Sequence, residues 1–250
     1  MMHNDSILPT ATSGSDHLAP PMGVIIAIDG PAAAGKSSVA RALAKKLNLL
    51  YLDSGSLYRA MAWKVLQKGI DPGHQSEVEN FCQELSVAAH SSGEVFVNQK
   101  NVTPFLRLSD VTRVSSLLSI YPSVRKKLLT IQRALAQSGA VMEGRDIGTV
   151  VFPDADIKFY LEAALAVRGE RRYKELLERG IACDLKTVVD EIDKRDHSDM
   201  ARAVAPLKAA PDAVVIDSTA LSFDEVVAQM LKRINPSQPP LSPKGRSFPS

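Results

Sequence analysis

Gly30-Pro31-Ala32-Ala33-Ala34-Gly35-Lys36-Ser37 follows the apolar run Val24-Ile25-Ile26-Ala27-Ile28 and Asp29. Behind it Val39, Leu43 and Leu47 recur every four residues, the period of a helix face. The eight residues fit G-x-x-x-x-G-K-[ST] between a strand and a helix, the setting a phosphate-binding loop requires. Gly30 and Gly35 permit backbone angles and close approach that a Cβ hinders. Amides at a helix start point at phosphate oxygens, and the helix dipole adds positive potential. Lys36 can reach the β- and γ-phosphates, and Ser37 can offer its hydroxyl to Mg²⁺. Gly30, Pro31, Ala32, Ala33, Ala34, Gly35, Lys36, Ser37 and Ser38 are thus the expected triphosphate-binding residues.

Outward from the loop, strand and helix patterns alternate. Val24–Ile28 is a continuous apolar run, as expected of a strand buried on both faces. Ala140–Met142, Ile157–Leu161 and Ala213–Ile216 are further strand candidates, each followed by a helical pattern. The alternation predicts an α/β fold with a parallel sheet covered by helices. One region breaks the rhythm: Glu94–Val97 and Asn101–Thr103, separated by Asn98-Gln99-Lys100, read as a small antiparallel insert. It is either part of a substrate site or decoration.

The ends differ from the middle. Residues 1–21 contain no Lys or Arg and no apolar block, so they lack the features of a secretory signal and read as a disordered tail. Met22 stands just ahead of the first strand, and activity is expected to survive deletion of residues 1–21. Residues 235–250 hold five of the fifteen prolines and cannot build a core. The expected folded core is 22–234.

Composition narrows the function classes. The 250 residues carry 30 Lys+Arg against 28 Asp+Glu, and a net charge of +2 gives no field for a polyanion. That argues against nucleic acid as the main ligand. The short apolar runs argue against a membrane span. Only Cys82 and Cys183 occur, which fits a reducing, cytoplasmic compartment without a disulfide framework. The histidines show no metal-ligand spacing, and no Ser–His or Cys–His signature is present.

Two further segments carry chemistry. Leu52-Asp53-Ser54-Gly55-Ser56-Leu57-Tyr58-Arg59 follows the short apolar Leu49-Leu50-Tyr51, with Asp53 or Ser54 suited to cap a helix. Glu143-Gly144-Arg145-Asp146-Ile147-Gly148 follows the strand at Ala140–Met142, at the strand end where open α/β sheets bind ligands.

Asp29-Gly30-Pro31 with the phosphate loop, Leu52–Gly55 with Tyr58-Arg59, Gly144–Pro153, and Arg202-Ala203-Val204-Ala205-Pro206-Leu207 together resemble bacterial cytidylate kinase, a nucleoside-monophosphate kinase family. The resemblance runs from about Ile25 to Met230. It implies a five-stranded parallel core, a monophosphate-binding insert at 71–107 and a mobile helical lid at 163–200. It further implies ATP and Mg²⁺ as donor, CMP or dCMP as acceptor, and a monomer. By the same resemblance, Ser54 and Arg59 face the monophosphate, while Ser116, Arg125 and Asp146 contact cytosine. Arg145 and Arg202 hold the α-phosphate, Arg195 and Asp199 contact ribose and phosphate, and Tyr58 joins the substrate-binding set. Where many relatives have glycine in mid-loop, this chain has Ala32-Ala33-Ala34.

The transferred roles make chemical sense. A carboxylate at Asp146 accepts from the cytosine amine, whereas uracil presents a carbonyl there. Plainer readings stand beside them. Arg195 and Asp199, four apart, suit a simple helical ion pair, Arg125 a solvated charge, and Tyr58 mere packing.

Arg168, Arg171 and Arg172 share one helix face. On a triphosphate enzyme such a face can be a lid bringing guanidinium groups to the transferring phosphoryl, with Lys36, Arg145, Arg168 and Arg172 as the catalytic set. The competing reading is an exposed helix in which Glu175 and Glu178 pair with Arg171 and Lys174. Two alternatives to the cytidylate reading are a kinase for another acceptor and a nucleotide switch. A GTP switch would also carry D-x-x-G and N-K-x-D, and neither is present.

Overall fold

The computed structural model describes residues 23–90 and 93–234; the expected terminal tails and Met22 lie outside the described residues. From the N-terminal end come β1 (Ile25–Asp29), α1 (Lys36–Leu47), β2 (Leu50–Asp53), α2 (Ser54–Lys68) and α3 (Gln75–Glu84). A small sheet follows, of β3 (Val87–Ala89), β4 (Val95–Val97) and β5 (Lys100–Asn101). Next are α4 (Ser109–Leu118), α5 (Pro122–Leu135), β6 (Ala140–Glu143), β7 (Ile157–Glu162), α6 (Leu165–Glu178), α7 (Leu185–Met200), β8 (Val214–Asp217) and α8 (Phe223–Ile234).

The main sheet has five strands in the order β2-β6-β1-β7-β8, every pairing parallel. Central β1 is buried along its whole length, which is why Ile25–Ile28 are all apolar, with Asp29 the one buried charge. Its side chains alternate between two cores. Val24, Ile26 and Ile28 pack with α1 and α8. Ile25 and Ala27 pack with Leu52, Met142 and Phe152 on the other face. The fifth strand, β2, lies at an edge and is only partly buried, so its short apolar run gives a weaker sequence signal.

The insert differs from its reading in strand number and in the end of its last strand, which is Lys100–Asn101 rather than Asn101–Thr103. It has three antiparallel strands, because Val87–Ala89 pairs with Val95–Val97. Thr103 leaves the strand and opens a 3₁₀ turn, its hydroxyl accepting from Val95 N at 2.9 Å. The small sheet packs with α2, α3, α4 and α5 around Leu57, Met61, Leu118 and Leu128, so its core reaches beyond residue 107.

The order β6-β1-β7 puts the topological switch beside β1, whose connection to β2 passes over β6. Such a crevice is where open α/β sheets take ligands. The phosphate loop, the start of α2 and the Gly144–Gly148 turn all leave the C-terminal ends of β1, β2 and β6.

Candidate active site

Ala33 (φ 58) and Gly35 (φ 92) take left-handed backbone angles, and the loop runs from Gly35 directly into α1. The first amides of a helix have no carbonyl one turn earlier, so they face outward as donors. Lys36 is buried, with Nζ donating to Pro31 O at 2.6 Å. Burial and the charge of Arg145 lower its pKa to about 7, against the opposing pull of Glu143.

The second site gathers around the turn after β6. Arg125, on α5, is buried; it pairs with Asp146 and donates to Ser119 O at 3.1 Å. The solvated-charge reading of Arg125 is therefore overturned. Its guanidinium lies 6.0 Å from the ring centroid of Tyr58. Burial raises the Tyr58 phenol to about 12, so it stays neutral. Ser116 is half-buried on α4, with its hydroxyl directed to Thr112 O at 3.4 Å.

Asp199 is 2% exposed and holds two arginines, Arg145 at 2.8 Å and Arg202 through its other oxygen. The expected helical pair of Arg195 with Asp199 does not form as a bonded ion pair. Asp199 is taken by the two other arginines, and Arg195 Nε is left without a partner. Asp53 caps α2 by accepting from Ser56 N at 3.0 Å and pairs with Arg59 at 2.6 Å. Ser54, buried at the helix start, sits so close to the turn that a Cβ on Gly144 would lie 2.5 Å from its hydroxyl.

The three arginines of α6 diverge. Arg168 is buried; it donates to Ala163 O at 2.9 Å and to Ala32 O at 3.0 Å, and pairs with Asp196. Arg171 reaches Ser218, at 3.0 Å from its hydroxyl and 2.7 Å from its carbonyl. Arg172 meets Glu175 at 2.8 Å. Glu175 therefore pairs with Arg172 rather than Arg171, and it also takes Arg107 at 2.9 Å.

Three residues of this centre escaped the sequence reading. Asp196 accepts from Ala32 N at 2.8 Å, fastening α7 to the phosphate loop. Glu143 is buried, accepts from Tyr51 OH at 2.8 Å and is hydrogen-bonded by Ser37; burial raises its pKa. Asp29 accepts from Ile147 N at 2.8 Å and Gly148 N at 2.7 Å. An acidic residue at the last position of a buried strand was the available signal for both Asp29 and Glu143. Asp196 gave none, being one charge among several on a polar helix.

The site suits polyanions. Among the described residues, Arg59, Arg195 and Arg202 each have a buried Nε without a hydrogen-bond partner. The Ser37 hydroxyl and the Glu143 carboxylate form a hard oxygen pair beside Lys36. No group of three or more His, Cys, Asp or Glu able to hold a metal occurs among the described residues. A cation there would draw its other ligands from phosphate and water, the habit of Mg²⁺. No helix among the described residues is long and apolar enough to cross a membrane.

A parallel sheet with a phosphate loop at one strand end and an arginine-rich second site at the next defines a P-loop kinase. A profile described as "Cytidylate kinase" matches residues 26–236. The cytidylate kinase of Geobacillus sp. (strain WCH70) is 44% identical over 214 residues, covering 84% of this chain and 96% of that one. That of Streptococcus gordonii is 46% identical over 208 residues, covering 81% and 92%. Among solved structures, the shikimate kinase from Bacteroides thetaiotaomicron aligns with a TM-score of 0.43 at 14% identity, covering 86% of this chain and 99% of that one. The chain belongs to the cytidylate kinase family and is a nucleoside-monophosphate kinase.

Proposed function

We propose that the chain transfers the γ-phosphoryl group of ATP·Mg²⁺ to CMP and dCMP, giving ADP and the pyrimidine diphosphate, as a cytoplasmic monomer. The observation that carries this reading is the buried Arg125–Asp146 pair. It offers a carboxylate acceptor and a guanidinium donor side by side, the complement of the cytosine amine and its neighbouring ring acceptors. Uracil would bring a carbonyl to the Asp146 carboxylate. A mispaired buried polar group costs roughly 1–3 kcal/mol, about five- to a hundred-fold in selectivity.

The remaining residues fit an in-line transfer. Arg59, Arg145 and Arg202 neutralise the monophosphate and orient it toward the loop. Asp199 fixes two of these arginines, which limits the freedom lost on binding. Both of its carboxylate oxygens already accept from arginine, so removing a ribose 2′-hydroxyl would not leave it unpaired; this supports acceptance of dCMP. Lys36 carries positive charge to the transferring end, and the loop amides hold the donor phosphates. Ser37 with Glu143 would hold Mg²⁺, which would supply positive charge against the donor phosphates. The acceptor oxygen is already anionic, so no side chain need act as nucleophile. Arg172 is proposed to act on the transferring group from α6. Arg168, bound to the Ala32 carbonyl, would act by fixing the loop.

The test is an assay of ADP release across all ribo- and deoxyribonucleoside monophosphates, with shikimate as an outside acceptor. CMP and dCMP should turn over fastest. Faster turnover of AMP, UMP or shikimate would overturn the proposal.

A further inference from the structure

The Gly144–Gly148 turn carries two groups of the acceptor site, Arg145 and Asp146. What fixes it lies under the donor site. Asp29 is the last residue of β1, immediately before Gly30 of the phosphate loop. It is 3% exposed. Its Oδ1 accepts from Ile147 N at 2.8 Å and its Oδ2 from Gly148 N at 2.7 Å, more than a hundred residues away in the chain. From Ile147 the backbone makes a single turn of π-helix, with Phe152 N bonded to Ile147 O at 2.7 Å. The opening amides of that turn need an outside acceptor, because no carbonyl of the turn precedes them. Gly148 lies close under the carboxylate: a Cβ there would come 3.4 Å from Asp29 Oδ2 and 3.1 Å from Lys158 Cδ.

We propose that Asp29 is a positioning residue for the acceptor site, its carboxylate clamping the Ile147 and Gly148 amides so that Arg145 and Asp146 project into the crevice opposite Lys36. Two acceptor oxygens on one planar group match two successive amides, a fit that neither asparagine nor alanine supplies. A carboxylate this buried is costly unless both oxygens are hydrogen-bonded. The clamp also makes the two half-sites one body, since the carboxylate belongs to the strand that leads into the phosphate loop. The inference rests on the proposed function for the identity of the acceptor and on geometry for the rest.

The test is calorimetric binding of CMP and of an ATP analogue to Asp29→Asn, Asp146→Asn and the double variant. In Asp29→Asn one amide faces a donor instead of an acceptor, so CMP should bind about tenfold more weakly or worse, with much less change for the ATP analogue. If Asp29 acts through the turn, the double variant should lose less CMP affinity than the two single losses combined, the remainder coming from the displaced Arg145. Additive losses, or equal losses for both ligands, would overturn the proposal. Amide exchange in the unmodified protein tests the clamp even where a variant fails to fold: the Ile147 and Gly148 amides should be protected, and exchange at the rate of an open loop would reject it. Should the unmodified protein prefer another monophosphate, the function proposal falls, and the same binding cycle with that monophosphate still judges Asp29.

Discussion

Arg145 Nε lies 2.8 Å from Asp199 Oδ2, although 54 residues separate them in the chain. The turn after β6 and the end of α7 meet at this contact, and Arg202 closes it from the other side. Removing the carboxylate would leave two guanidinium groups close together without their shared counter-charge. Asp199→Ala should therefore destabilise the fold by about 3 kcal/mol, the scale for breaking a buried pair from one side. Urea unfolding measures it, and an unchanged midpoint would refute it.

Lys36 is held where its charge is costly. Lys36→Met should cut turnover by a factor of about a thousand or more, the scale of removing a charge stabiliser at a transferring phosphoryl group. Folding stability at pH 7 should not fall, because the variant removes a buried amine whose pKa is already lowered to about 7. Steady-state kinetics and thermal unfolding of one preparation decide both halves.

The same lysine gives a pH dependence. In the free protein Lys36 loses its proton near pH 7, and bound phosphates would raise its pKa. Below pH 7 the group is already charged and nucleotide binding needs no proton. Above pH 7 binding should take up as much as one proton, and affinity should fall as pH rises. Calorimetry in two buffers of different ionisation enthalpy reads the uptake directly. No uptake at pH 8 would contradict the lowered pKa.

Asp146→Ala should weaken CMP binding about tenfold or more while leaving ATP binding nearly unchanged. It should also narrow the preference for CMP over UMP, because the repulsion against the uracil carbonyl goes with the carboxylate. Competition between the two monophosphates measures this, and an unaltered ratio would remove Asp146 from base selection.

The two loop glycines should differ in kind. A Cβ at Gly30 would stand 2.0 Å from Leu161 O, a backbone atom of β7 that cannot swing away. Gly30→Ala should cost about 3 kcal/mol or prevent folding. Gly35 has nothing within 4 Å of its added Cβ, and its φ of 92° alone opposes alanine. Gly35→Ala should cost about 1–2 kcal/mol. Gly30 also has a φ of 147°, so denaturant unfolding of the pair reads what steric overlap adds to backbone strain.

Much of this fold could be read residue by residue. Val24–Ile28 is apolar at every position because β1 is buried on both faces, and the phosphate loop is recognisable because the chain must turn there with glycine. β3 was less legible: Val87–Ala89 is three residues long and becomes a strand only by pairing with β4. The α6 arginines show the limit more sharply. Their shared helix face was plain, yet only Arg172 finds its partner, Glu175, on the same helix; Arg168 and Arg171 find Asp196 and Ser218, partners set by neighbouring elements.

The sequence by itself determined the parallel sheet, the phosphate-binding loop and the set of charged residues around a second site, because periodicity and loop chemistry are local. Only the tertiary structure decided which carboxylate holds which arginine, that Arg195 keeps a buried nitrogen unpaired, and that Asp29 clamps a turn far along the chain. Charge pairing depends on distance in space and on burial, and neither is fixed until the strands take their order in the sheet.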